Sequence, residues 1–186
     1  PVEARLHDYL RRMLRTNVLP TFYDPGMTST VRAVALAALA DAGAINKDEV
    51  LRYASHLPKM SLLGKAHYLQ ALAASGAPAT EIQRAGDAIL AMGNQSGGKY
   101  QFTETLSDDY SELLATPLRE NCAALSGLLR MATTPGVGTR VGDIPCRLGR
   151  TITQARGSRD HFENTQENVF CMNALVDYAK KYESND

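Results

Sequence analysis

The side chains from which reaction or metal chemistry could be built are four histidines, three cysteines and one acidic run. His7, His56, His67 and His161 have no second histidine one helical turn away and no neighbouring cysteine, so zinc-type ligand spacing is missing. They read as surface or hydrogen-bonded core residues. The run 104–112 holds Glu104, Asp108, Asp109 and Glu112, but it lacks the central glycine that a calcium loop turns on. It reads as a solvated loop. Ser-Gly-Gly at 96–98 and Pro-Gly-Val-Gly at 135–138 lack the Lys-Ser/Thr ending of a phosphate loop, and no Gly-x-Ser-x-Gly elbow occurs. No catalytic residue, metal or cofactor is expected, and the chain is read as a non-enzyme.

Cys122, Cys146 and Cys171 are isolated and odd in number, with no Cys-x-x-Cys pair. Cys122 and Cys171 fall on apolar faces of predicted helices and read as buried free thiols, which pack as small hydrophobes. A disulfide framework is not expected at this density. Arg119 is expected to pair with the acids of the loop before it and pin that loop.

These residues sit in a helical frame. Lys plus Arg and Asp plus Glu both number 20, and a chain without basic excess is not expected to bind nucleic acid. The longest apolar run, 33–40, is too short to cross a bilayer. The sequence opens at Pro1 without a leader and reads as one domain, 1–186, excised from something longer. Apolar spacing predicts helices over 2–16, 28–42, 47–57, 61–75, 80–92, 118–132 and 141–155. The first carries Leu6, Tyr9, Leu10, Met13 and Leu14 inward. The second is capped by Thr28, Ser29 or Thr30 and stopped by Gly43. Tyr100 and Phe102 alternate with polar neighbours, which predicts a short hairpin-like insertion near 99–112.

The last helix, within 161–182, organises the rest. Asn164 or Thr165 is its N-cap, and Glu167 imitates a capping box. Val169, Met172, Leu175, Val176 and Ala179 make one apolar face, widened by Phe170, Ala174 and Tyr178, so the helix is expected to be buried on most sides. Segments rich in small residues recur at 36–43, 69–76, 122–129 and 171–178. Helices apolar all round alternate with amphipathic ones, which implies an inner layer sleeved by an outer layer. The fold expected is all-α, a partial α/α toroid of antiparallel helices.

Two motifs carry a family resemblance. Leu118-Arg119-Glu120-Asn121 opens one inner helix, and Thr165-Gln166-Glu167-Asn168 opens the last. Their order resembles the late part of the thioester domain of bacterial alpha-2-macroglobulins. The resemblance implies an α/α toroid within a protease-trapping inhibitor of the periplasm or cell envelope. Its partners would be proteases, met through the full-length parent, and the parent's other domains. Arg119, Asn121, Thr165, Gln166 and Asn168 carry over as structural motif residues, with capping the role expected of the last three. The reactive Cys-x-Glu-Gln of thioester-bearing members is absent here, and Phe162 stands where the family has Trp. If the toroid is incomplete, Leu6, Leu10, Met13 and Leu14 would leave an exposed edge, and the fragment would self-associate. The rival readings are a helical-repeat interaction module and an α/α-toroid enzyme, which would need an acidic or aromatic-lined cavity.

Overall fold

The computed structural model describes residues 2–16 and 19–183. Its elements in order are α1 (Val2–Arg15), α2 (Pro25–Asp41), α3 (Lys47–Leu51), α4 (Leu62–Ala74), α5 (Ala79–Leu90), β1 (Gly93–Ser96), β2 (Lys99–Phe102), α6 (Pro117–Ala132), α7 (Ile144–Arg156) and α8 (Thr165–Tyr182). Tighter 3-10 segments occupy Ala54–Lys59, Asp108–Leu113 and Gly138–Val141. The protein is all-α with one short hairpin. Among the described residues no helix is long and apolar enough to cross a membrane.

Four helices form the inner layer. α2 packs on α4, α4 on α6, and α6 on α8. The Ser61 N–H that opens α4 donates to Thr30 Oγ1 in the early part of α2 at 2.9 Å. The Thr116 hydroxyl that opens α6 donates to Glu167 in the first turn of α8 at 2.8 Å. Beginnings meet beginnings, so the inner helices run parallel. The outer helices return the chain: α1 rests on α2, α3 on α4, α5 on α4 and α6, and α7 on α6 and α8. α8 and α2, at the two ends of the row, make no comparable contact, so the row is open.

Small residues set the spacing of the inner layer. A Cβ on Gly64 would lie 2.8 Å from Thr30 Oγ1 and 2.9 Å from Thr30 Cα. Only hydrogen lets α2 and α4 approach so closely. Gly64→Ala is expected to cost about 2 kcal/mol through overpacking, read as an earlier urea midpoint with unchanged slope.

Several helices differ from expectation at their ends. α2 begins at Pro25, because Asp24 accepts the Met27 N–H at 2.7 Å and proline suits the first helical position. Thr28, Ser29 and Thr30 therefore lie inside the helix. The helix expected over 47–57 is α3 followed by a 3-10 segment. Pro58 offers no N–H and disfavours a helical Leu57. α7 starts at Ile144 because Gly142, at φ 52° and ψ −134°, breaks the path from Val141. Gly43, at φ 64°, ends α2 as expected.

The hairpin pairs Gly93 with Phe102 and Ser96 with Lys99, antiparallel. Its two-residue turn is Gly97-Gly98, both at positive φ, as tight hairpins require. Tyr100 and Phe102 point into the core, while their strand neighbours Lys99 and Gln101 stay exposed.

The outermost helices are less buried than their apolar faces suggest. In α8 only Glu167, Cys171 and Ala174 are buried, whereas Val169, Met172 and Val176 are 52%, 42% and 46% exposed. The expectation of a helix enclosed on most sides is corrected: α8 ends the row, packed mainly on α6 and α7, with Phe170 reaching His67 of α4. In α1, Met13 and Leu14 are buried and Leu10 is half-buried, while Leu6 and Tyr9 stand exposed.

Candidate functional site

Because the inner helices are parallel, their partly positive N-termini collect at one end of the molecule. Buried acids gather there. Ser61 caps α4 by accepting the Gly64 N–H. Glu104, in the return from the hairpin, accepts the Leu62 N–H at 2.9 Å. Glu120, near the start of α6, faces the Leu63 N–H and accepts from Arg119 Nη2 at 2.5 Å. Thr116 accepts the Arg119 N–H at 3.1 Å while giving its own proton to Glu167. Each acid thus serves the beginning of the preceding inner helix.

Burial governs the ionisation of these groups. Desolvation pushes the Glu120 carboxyl up, and the Glu104 charge adds to this, against the opposing Arg119 guanidinium. Glu104 is also raised by burial, opposed by the Leu62 N–H and by Lys65. Burial pushes Tyr110 up to about 12. His67 is held below the usual imidazole range, chiefly by burial, and its ring meets Phe170 edge-on at 5.8 Å.

A cleft of about 720 Å³ opens beside these groups, between Leu62, Phe102, Tyr110, Glu104, Glu120 and Asn121. One oxygen of each acid is engaged as described. The second oxygens of Glu104, Glu120 and Glu167 are shielded from solvent and have no hydrogen-bond partner. The cleft is acidic in composition, but its carboxylates act as anchored acceptors at helix beginnings. Among the described residues no group of three or more His, Cys, Asp or Glu could hold a metal.

The motif residues converge here unevenly. Arg119 also donates to the Leu113 carbonyl at 2.5 Å and lies 5.8 Å above the Phe170 ring. The expected pairing with Asp108, Asp109 or Glu112 is replaced by Glu120, since a buried guanidinium needs a buried counter-charge. Arg119 still ties down the loop's end through a backbone carbonyl. Asn121 brackets Phe102, accepting its N–H at 2.7 Å and donating to its carbonyl at 2.9 Å. Asn121→Ala is expected to cost about 2 kcal/mol by stranding the buried Phe102 groups, with loss of hydrogen-exchange protection at the Phe102 amide.

In the second motif the cap is Asn164, which accepts the Glu167 N–H at 2.9 Å. Thr165 is exposed at the first helical position, and Gln166 is half-buried. Neither caps the helix. The Glu167 carboxylate closes no capping box and reaches across to Thr116. Asn168 brackets Phe162, accepting its N–H at 2.8 Å and donating to its carbonyl at 3.3 Å. Phe162 itself is fully buried.

The two motif helices are also joined covalently. Cys122 and Cys171 form a disulfide, which corrects the reading of both as free thiols. Each lies about two turns past its helix cap on facing sides of parallel helices, and that matched depth was the available signal. Only Cys146 stays free among the three. It touches Tyr178, whose hydroxyl is pushed up to about 12, first by a hydrogen bond to that thiol. No family model, curated protein or solved structure matches the chain.

Proposed function

We propose that the chain is a non-catalytic piece of a bacterial alpha-2-macroglobulin-like protease trap, from the α/α toroid of its thioester-type domain. One observation carries most weight. The segments 118–121 and 165–168, which bear the resemblance, open adjacent parallel helices linked by Thr116–Glu167 and by Cys122–Cys171. Residues alike in sequence would then be alike because they build one junction. The open row of α2, α4, α6 and α8 is read as an arc of the toroid. A disulfide between buried cysteines suits an oxidising compartment, in keeping with a periplasmic or envelope-associated parent.

In this reading the parent is cut by a protease, changes shape and encloses it. The test uses the full-length parent incubated with a broad-specificity protease. The enclosed enzyme should still cleave a small chromogenic peptide while losing activity on a large protein substrate. Loss of both activities, or of neither, would overturn the reading. The isolated chain should incorporate no radiolabelled methylamine, since it lacks the reactive Cys-x-Glu-Gln. Its exposed Val169, Met172 and Val176, with Leu6 and Tyr9 on α1, should also drive self-association. Light scattering is expected to give a mass that climbs above 20.2 kDa with concentration. A monomer at every concentration would remove this part of the proposal.

A further inference from the structure

A second pocket, of about 410 Å³, lies where the loop before α2 meets the 3-10 segment that follows α3. Three basic side chains from two elements line it: Arg32 of α2, and His56 and Lys59 of Ala54–Lys59. Among the described residues, no acidic side chain is in its lining. Thr28 and Tyr23 add hydroxyl groups, and Pro20 and Leu19 add apolar wall. Arg32 and Lys59 place positive charge beside His56. The effect registers on His56, whose imidazole is held below its usual range by burial, then by the charges of Arg32 and Lys59.

The orientation of His56 is fixed. Ser29 Oγ donates to the Pro25 carbonyl at 2.7 Å, which uses its only proton. The 3.3 Å contact between Ser29 Oγ and His56 Nδ1 therefore has the ring nitrogen as donor. That leaves Nε2 as the nitrogen able to take up a proton. The Tyr53 ring lies against the imidazole at 5.8 Å.

We propose that this pocket binds a phosphate-class dianion, a phosphate monoester or inorganic phosphate, between Arg32, Lys59 and His56. Two permanent charges match a dianion better than a carboxylate, and the guanidinium supplies directed donors while the ammonium acts as a point charge. On binding, His56 Nε2 takes a proton from solvent and becomes the third donor. The groups facing it are Arg32 from α2, Lys59 on its own element, and the phenols of Tyr53 and Tyr23. The pocket also has room beyond the anion for a small organic group. The inference stands independently of the protease-trap reading.

The test is a titration of the whole chain, followed through the His56 ring resonances by NMR. Inorganic phosphate, phenyl phosphate and a phosphoserine peptide form three arms, with acetate as the monoanion control. Saturable shifts with phosphate, a higher His56 pKa in the bound state, and at least tenfold weaker acetate binding are expected. A stronger response in the phenyl phosphate or peptide arm would assign the natural source to an organic phosphate. Lys59→Gln, on an exposed side chain, should weaken phosphate at least tenfold with an unchanged circular dichroism spectrum. Arg84→Gln on α5 should leave binding as it is. Absence of saturation, equal acetate affinity, or an unaffected Lys59→Gln variant would overturn the proposal.

Discussion

Replacing Cys122 and Cys171 together by alanine, or reducing the bond between them, is expected to lower stability by about 4 kcal/mol. The figure follows from the loop closed in the unfolded chain, given a sequence separation of 49. The native side of the balance changes less, because both side chains are fully buried and α6 and α8 stay packed around them. For a chain of this size the loss corresponds to a melting temperature roughly 10 °C lower. Thermal unfolding with and without reductant measures it directly. Matching melting temperatures would show that the crosslink closes no loop that matters to the unfolded state.

Arg119→Met should be the most damaging single change, at about 3 to 5 kcal/mol. It removes the counter-charge from a carboxylate only 3% exposed and strands Glu120. The double variant Arg119→Met, Glu120→Leu should recover most of this loss, since a well-packed apolar pair needs no desolvation of charge. A pH signature separates this cause from simple loss of packing. Folding raises the Glu120 pKa, so its proton is held more tightly in the folded chain. That contribution is fully present below the unfolded value, near 4.5, and disappears as pH rises through the folded value. Removing Arg119 takes away the charge that opposed the shift, so the pH dependence steepens. Urea unfolding should show the deficit shrinking on acidification from pH 8 toward 5. A deficit constant across that range would refute the stranded-charge explanation.

What could be read without coordinates followed from local chemistry. Inner and outer helices separated because AVALAALA in α2 has no polar face and α5 has only a stripe. The strand at 99–102 was legible from the alternation around Tyr100 and Phe102, but it pairs back with Gly93–Ser96 instead of running on to 112, because Gly97-Gly98 makes the turn. The site was legible only in part. Arg119 and Asn121 stand out only through the motif they share with the resembling family, Glu167 reads as a capping residue, and Glu120 and Thr116 carry no readable role, because their partners lie on other helices. The Cys122–Cys171 bond was missed for the same reason: facing positions on parallel helices leave no short-range spacing signal. The burial of α8 was overstated because an apolar face records what a helix can cover, not whether a neighbour is there to be covered.

The borrowing of acids between helix beginnings bears on how this chain emerges from a ribosome. While α6 is still untranslated, the start of α4 lacks Glu120, and until α8 arrives the Thr116 hydroxyl lacks Glu167. The inner row should therefore not settle progressively from its N-terminal side. A nascent chain stalled before residue 160 is expected to be readily cut by proteases, with resistance appearing abruptly once the final helix clears the exit tunnel.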